Sequence, residues 1–218
     1  MDYKKILGDI SKRADSKKVE YYVLVHKKHK RVICFRDNPR AISFIKPKFK
    51  HSVSKNLIYS LISLGFHRLL LKKVMLSENL GDVIYIANSV KAFNLLDECV
   101  YTFESMDKKL SEFSNNMRIQ KFLSRNNLAP KLLLVNDSKR YYTEELLYDG
   151  KDGKIDMLDI IKKLSRFYNL TYRRYVHGDF MKDHIKVDNN GEVKFIDWNI
   201  RRGNPDEDFK NYIRRLGD

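Results

Sequence analysis

Short runs rich in apolar, β-branched and aromatic residues recur along the chain, separated by polar breaks, and such runs are typical of β-strands. Asparagine, aspartate, glycine and proline residues stand at several of the breaks between them, where turns are expected. These runs predict strands over residues 21–25, 31–35, 82–87, 90–95, 99–103, 131–135 and 140–147.

Three further segments, over residues 54–64, 107–125 and 157–168, carry apolar residues at helical spacing. Apolar side chains that recur every three or four residues share one face of a helix, and we expect that face to pack inward. The predicted inward-facing residues of the second and third helices are Met117, Ile119, Phe122, Leu123, Leu158, Ile161, Leu164 and Phe167.

Two aspartates follow apolar runs near the end of the chain, on either side of a turn signal. The turn sequence Asp188-Asn189-Asn190-Gly191 predicts a β-hairpin formed by residues 185–187 and 193–196. That hairpin would bring three polar side chains to one end, namely Asp179, His184 and Asp197. Two carboxylates and an imidazole suit a divalent metal ion and a hydroxyl group that loses its proton, as phosphoryl transfer requires.

The segments His177-Gly178-Asp179 and Ile196-Asp197-Trp198 resemble the catalytic and metal-binding motifs of the aminoglycoside-phosphotransferase and choline-kinase group. The resemblance implies an α+β, reduced protein-kinase-like two-lobed fold, with an antiparallel-sheet small lobe and a mainly helical large lobe. It also implies transfer of a phosphoryl group from ATP to a hydroxyl. Residues 203–208 resemble the Gly-Asp-Pro-x-x-Asp segment that follows the metal-binding aspartate in aminoglycoside kinases.

The resemblance assigns roles to individual residues. Asp179 would orient or deprotonate the acceptor hydroxyl, and Asp197 would bind the Mg²⁺ that bridges the ATP phosphates. His177 would hold the catalytic loop by packing and hydrogen bonding. His184 lies five positions after Asp179, where the group usually has an asparagine that holds a second metal ion. A histidine there is similar to the heptose and Kdo kinases of the lipopolysaccharide core, and a nitrogen ligand would also suit Mn²⁺.

The order of predicted elements implies a kinase-like small lobe over residues 81–147 and a reduced catalytic large lobe over residues 148–218. Residues 1–80 would form an N-terminal extension of unassigned role. The hinge between the lobes would bind the adenine edge through its backbone groups. Its candidate residues are Glu145, Leu146 and Leu147.

The chain departs from the family pattern at the phosphate-binding positions. The expected strand lysine falls near Thr102, and the expected helix glutamate falls near Asn115 or Asn116. A glycine-rich phosphate loop is also missing. Because bound triphosphate carries several negative charges, Lys91 and Lys182 are the candidate replacements.

The 218-residue chain has a formal net charge of +15, which attracts anionic partners such as nucleotides, acidic membranes, lipopolysaccharide phosphates or nucleic acid. Two cysteines without paired spacing, Cys34 and Cys99, are expected to be buried free thiols. The first residues lack a signal-peptide core, and the stretch from Leu57 to Leu71 is too polar and short to span a bilayer. We therefore expect a cytoplasmic protein, with peripheral contact to the acidic inner-membrane face as a further expectation.

The favoured hypothesis is an ATP- and Mg²⁺-dependent phosphotransferase for a sugar or small-molecule hydroxyl, with a lipopolysaccharide-core sugar as the favoured acceptor. One alternative is a catalytically inert kinase-like binding module, which the missing lysine and glutamate favour. A second alternative is a nucleic-acid-binding protein that uses the basic segments 27–31 and 46–50. The chain contains no nucleic-acid-recognition motif, which disfavours this alternative. The acceptor's identity, the oligomeric state and the role of residues 1–80 stay open.

Overall fold

The computed structural model describes residues 2–26, 30–45, 60–62, 64–87, 89–149 and 155–214. These residues form a mixed α+β structure built on an antiparallel sheet, which confirms the predicted α+β class. The chain divides into two compact units: the first comprises residues 1–114 and 134–144, and the second comprises residues 115–133 and 145–218.

The first unit holds most of an eight-stranded sheet. Its elements, the last three of which continue into the second unit, are α1 (Tyr3–Ala14), β1 (Lys18–His26), β2 (Arg31–Phe35), α2 (Pro39–Ile45), α3 (His67–Leu70), β3 (Lys72–Ser77), β4 (Val83–Ile86), β5 (Val90–Asn94), β6 (Cys99–Phe103), α4 (Leu110–Arg125), β7 (Leu132–Asn136) and β8 (Tyr141–Glu145). The strand order is β3-β1-β2-β4-β5-β6-β8-β7. All seven predicted strands are confirmed, although the last ends at Glu145 rather than at residue 147.

Residues 1–80 contribute to the same sheet as the strands that follow them. Strand β2 pairs antiparallel with β4, so that Cys34 lies opposite Ile84 and Phe35 opposite Val83. Strand β1 lies between β2 and β3. The division into an extension and a small lobe stays a prediction.

Successive side chains of a strand point to opposite faces of a sheet, and both faces of this sheet carry buried side chains. On one face, Leu7 and Ile10 of α1 pack with Tyr21 of β1. On the other face, Tyr22 packs with Ala41 of α2. Cys34 and Cys99 are buried free cysteines, as predicted. Burial raises the pKa of the Cys34 thiol to about 12, so it stays protonated at neutral pH.

The second unit contains the hairpin and the helices around it. Besides the end of α4, its elements are α5 (Met157–Leu170), β9 (Tyr175–Val176), β10 (Ile185–Val187), β11 (Val193–Phe195), β12 (Arg201–Arg202) and α6 (Asp206–Arg214). Strands β10 and β11 form the predicted hairpin, with Ile185 opposite Phe195. The Asp188 side chain accepts hydrogen bonds from the Asn190 and Glu192 amides, which closes the turn.

The buried faces of the two long helices agree with the prediction only in part, because Met117, Leu123, Leu164 and Phe167 are buried as predicted. Helix α5 buries Ile160, Leu164, Phe167 and Tyr168, which cluster with Phe195 of the hairpin. Among the residues predicted to face inward, four are exposed: Leu158 (53%), Ile161 (41%), Ile119 (41%) and Phe122 (38%). The prediction was wrong for them because each helix carries apolar residues on more than one face, and tertiary packing selects the buried face.

Two predictions lie at least partly outside the described residues. Of the helix predicted over 54–64, only residues 60–62 and 64 are described; of the basic segments 27–31 and 46–50, only residues 30 and 31 are. Within the described ranges, no helix is long and apolar enough to cross a membrane.

The position of the buried face predicts a stability difference between two leucines of α5. Leu164→Ala removes a fully buried side chain and should lower the free energy of unfolding by about 2–5 kcal/mol. Leu158→Ala removes an exposed side chain and should change it by less than about 0.5 kcal/mol. Urea unfolding of both variants, followed by circular dichroism, measures the difference. Equal losses would contradict the observed orientation of the helix.

Candidate active site

Strand β9 leads directly into the predicted catalytic loop, and its backbone is held by β12. Val176 pairs with Arg201, and the Asn199 amide donates a hydrogen bond to the His177 carbonyl over 2.9 Å. Gly178 follows with a φ of +84°, and a Cβ atom there would collide with the backbone carbonyl of Asn199. Only glycine therefore allows the two chain segments to approach so closely just before Asp179.

A buried carboxylate anchors this loop through hydrogen bonds to its backbone. Asp208, near the start of α6, is fully buried and accepts hydrogen bonds from the backbone amides of His177 (2.6 Å) and Gly178 (3.0 Å). The Tyr168 hydroxyl of α5 donates a third hydrogen bond over 3.0 Å. Burial and the adjacent Asp208 carboxylate raise the pKa of Tyr168, so its hydroxyl stays protonated and can donate.

His177 lies beneath the loop, away from solvent. Its ring is fully buried and stacks on Trp198, with centroids 4.3 Å apart. Burial, reinforced by the neighbouring His184, lowers the pKa of His177 to about 4, so the ring is neutral at physiological pH. The Asp179 amide points at its Nδ1 atom over 3.4 Å. A fully buried ring suits the predicted role of holding the loop and would not contact a substrate.

The structure brings Asp179, His184 and Asp197 together. The Nδ1 atom of His184 lies 2.7 Å from the Asp179 carbonyl oxygen and 4.0 Å from a carboxylate oxygen of the same residue. Because a carbonyl only accepts, Nδ1 must carry a proton, and Nε2 of a neutral ring is left with its lone pair. That Nε2 atom lies 3.7 Å from a carboxylate oxygen of Asp197.

Asp197 is presented by an unusual backbone conformation. Its φ is +55°, in the left-handed region that is uncommon for residues other than glycine, and such strain is often found at functional sites. The residues on both sides are anchored: the Ile196 amide donates to the His184 carbonyl, and the Trp198 ring nitrogen donates to the Phe195 carbonyl. The Asp197 side chain is half exposed.

Two donor atoms of this cluster lie close enough to bind one metal ion after a small shift. Two atoms bound to one Mg²⁺ lie about 3.0 Å apart in adjacent positions and about 4.2 Å apart in opposite ones. The separation of 3.7 Å between His184 Nε2 and Asp197 falls between these two distances, so a small side-chain movement would let both atoms bind one ion in adjacent positions. The hydrogen bond from Nδ1 to a backbone carbonyl is the usual support of a metal-binding histidine. The described residues contain no cluster of three or more histidine, cysteine or acidic side chains that could hold a metal ion.

The predicted phosphate-binding lysines lie in different units. Lys182 is exposed, in a 3₁₀ turn of the second unit that spans Lys182–His184. Lys91 lies on β5 of the first unit, directly opposite Thr102 on β6. Paired residues of an antiparallel sheet point to the same face, so Lys91 shares its face with the position where a lysine was expected. Thr102 is buried, and its hydroxyl has no hydrogen-bond partner within the described residues.

The predicted hinge consists of the last residue of β8 and the two residues after it, and some of its backbone groups are already hydrogen-bonded. The Glu145 amide donates to the Lys131 carbonyl over 3.0 Å, and its carboxylate accepts from the Lys131 amide over 2.7 Å. The Tyr148 amide donates to the Val187 carbonyl. Leu146 and Leu147 lie between these anchored residues, Leu146 with its side chain buried.

The first unit also contains an open cavity of about 640 Å³. Arg36, Arg40 and Tyr101 line it together with Asp82. The buried Asp82 carboxylate accepts from the Asn38 side chain and the Leu95 amide, so each of its oxygens has a partner within the fold. None of the predicted site residues lines this cavity.

Asp208 is the site residue that the sequence predictions missed. It stands last in the segment 203–208, whose resemblance was noted without a role for this residue. An acidic residue in the first turn of a helix is usually exposed and interacts with the helix dipole. The sequence alone therefore does not indicate that Asp208 is buried.

Comparison with known proteins gives no family assignment. No protein-family model matches the chain, and no curated protein shows significant similarity to it.

The three hydrogen bonds to Asp208 predict a graded effect of two substitutions. Asp208→Asn turns an amide donor towards buried N–H groups and should lower the free energy of unfolding by about 3 kcal/mol or more. Tyr168→Phe removes one donor and should cost about 1 kcal/mol. Urea unfolding followed by fluorescence of Trp198, the single tryptophan, measures both. Equal stability of the two variants would show that Asp208 does not hold the loop.

Proposed function

We propose that this chain is an ATP- and Mg²⁺-dependent phosphotransferase with a reduced kinase-like fold, which phosphorylates a hydroxyl of a sugar or small molecule. The observation that carries the proposal is the convergence of Asp179, His184 and Asp197, with His184 within 4.0 Å of both carboxylates. The loop that presents Asp179 is anchored by the buried Asp208. A fixed carboxylate beside a candidate metal site is the arrangement that phosphoryl transfer needs.

Asp179 is the candidate for the acceptor hydroxyl. Its side chain is 39% exposed, so a substrate can reach the carboxylate. Its own backbone is held on both sides, by the His184 ring at the carbonyl and by the His177 ring at the amide. The carboxylate would accept a hydrogen bond from the hydroxyl, orient its oxygen, and take its proton as that oxygen bonds to the γ-phosphorus of ATP and the bond from this phosphorus to the departing ADP breaks.

Asp197 and His184 would hold the metal ion. Mg²⁺ at this position would neutralise charge on the transferring phosphates. The proton on His184 Nδ1 keeps Nε2 available, and the hydrogen bond to the Asp179 carbonyl keeps the ring directed at Asp197. A nitrogen ligand also makes Mn²⁺ a suitable ion.

The nucleotide would be bound by groups from the predicted hinge and by lysines. Because the Glu145 and Tyr148 amides already donate to backbone carbonyls, the adenine proposal rests on the backbone of Leu146 and Leu147. Lys91 and Lys182 would replace the missing strand lysine at the phosphates. Lys91 is supported by its register opposite Thr102.

A catalytically inert kinase-like binding module is the second candidate function. The buried Thr102 at the expected lysine position, and Asn115 and Asn116 at the expected glutamate position, favour it.

The favoured acceptor of an active enzyme is a lipopolysaccharide-core sugar, and this preference rests on His184. The net charge of +15 would support contact with an acidic membrane. The nucleic-acid alternative rests on the basic segments 27–31 and 46–50, of which only residues 30 and 31 are described.

Replacement of Asp179 tests the catalytic proposal. Asp179→Asn should lower ATP-dependent phosphorylation of heptose, Kdo or another accepted sugar by about two to four powers of ten, because the amide cannot take the proton. Asp183→Asn removes an exposed carboxylate nearby and should keep wild-type activity. Transfer of radiolabel from [γ-³²P]ATP measures both, with urea unfolding as the control for folding. Wild-type turnover by Asp179→Asn would refute the assignment.

Replacement of Asp197 tests the metal site separately. Asp197→Asn should weaken ATP binding about tenfold or more in the presence of Mg²⁺ and leave metal-free binding nearly unchanged, because it removes a hard oxygen ligand. Calorimetric titration of ATP with and without Mg²⁺ separates the two effects. Equal losses under both conditions would make Asp197 a structural residue, and wild-type protein that binds ATP without any effect of Mg²⁺ would favour the inert binding module.

A further inference from the structure

The short ribbon of β9 and β12 is strongly basic. Its two strands pair Val176 with Arg201 and Tyr175 with Arg202, directly before the loop that carries Asp179. The exposed arginines on this ribbon and its flank are Arg173, Arg174, Arg201 and Arg202. Neither the metal site nor the proposed catalytic step uses these four guanidinium groups.

Arg201 is the arginine placed against the catalytic loop. Its Cγ atom would lie 3.5 Å from a Cβ built on Gly178, the residue that precedes Asp179. The start of the Arg201 side chain therefore packs against the residue directly before the candidate catalytic carboxylate.

Glu207 keeps the Arg201 guanidinium in place. The Nη2 atom of Arg201 donates to a Glu207 carboxylate oxygen over 2.7 Å, and the other oxygen accepts from the Asn204 amide. The hydrogen bond from the Asn204 amide and, to a smaller extent, the one from the Arg201 guanidinium lower the pKa of Glu207 below its ordinary value. The carboxylate therefore stays ionised at neutral pH. An arginine held by one carboxylate is less free to change rotamer, which lowers the entropy lost on binding a ligand.

The guanidinium retains hydrogen-bonding capacity beyond this contact. It has five N–H donors, and Glu207 is its only hydrogen-bonding partner within the described residues. Roughly half of the side chain is exposed to solvent. Planar, paired N–H donors match the oxygens of phosphate and carboxylate groups, which an ammonium group matches less well.

We propose that Arg201, supported by the other arginines of the ribbon, recognises a phosphate or carboxylate group on the acceptor. This inference rests on the proposed function, because it takes Asp179 as the residue that holds the acceptor hydroxyl. It narrows the acceptor to hydroxyl compounds that already carry a negative charge, such as phosphorylated or acidic sugars. Because Arg201 packs against Gly178, directly before Asp179, we assign its ligand to the acceptor.

Binding can be measured without turnover, because Trp198 lies three residues from Arg201 and is the single tryptophan. We expect glucose 6-phosphate and glucuronate to change its fluorescence saturably, and glucose to bind at least about tenfold more weakly. Arg201→Gln should remove this preference. Arg166→Gln, which deletes an exposed arginine of α5 in the same unit, should keep it. Urea unfolding of both variants checks that they remain folded.

Three outcomes distinguish the proposals. Wild-type affinity of Arg201→Gln for glucose 6-phosphate overturns the anion site, whatever the phosphotransfer assay shows. Arg201-dependent binding without any phosphotransfer overturns the proposed function and keeps the anion site. Full competition by the ATP analogue AMP-PNP with Mg²⁺ would assign Arg201 to the nucleotide and overturn the inference about the acceptor; unchanged affinity with the analogue bound supports it.

Discussion

The buried carboxylate of Asp208 is the constraint on which the candidate site depends. It accepts hydrogen bonds from two consecutive amides of the catalytic loop and from the Tyr168 hydroxyl, inside the core of the second unit. A buried charge is costly unless it is fully hydrogen-bonded, so this carboxylate is stable only while the loop keeps its conformation. Helices α5 and α6 and the catalytic loop are thereby joined at one point.

The geometry of the candidate metal-binding pair, His184 and Asp197, follows from that fixed loop. With His177 and Gly178 anchored, the carbonyl of Asp179 is positioned to accept from His184 and so determines which ring nitrogen carries the proton. The other nitrogen is then directed towards Asp197, whose left-handed backbone turns its carboxylate to the same place. His177 packs under the loop as a neutral ring that stacks on Trp198. Few interactions therefore position the three side chains of the candidate site.

The hairpin and the convergence of Asp179 and Asp197 could be predicted from the sequence because the signals are local. Asp188-Asn189-Asn190-Gly191 specifies a turn, and alternation on both sides gives the strands. The buried faces of the helices could be predicted only in part. Leu164 is buried as expected, whereas Leu158 and Ile161, which are as apolar, are exposed, because tertiary contacts decide which side chains pack. The role of Asp208 depends on a long-range contact with amides 30 and 31 residues earlier, which no local pattern reveals.

Hydrogen exchange of the His177 and Gly178 backbone amides tests the central role of Asp208 most directly, since both donate to its carboxylate. In the folded protein we expect both amides to exchange only on unfolding of the second unit, as slowly as the Phe195 amide of the hairpin. Exchange at the rate of an unprotected, exposed loop amide would contradict the anchoring of the catalytic loop by Asp208.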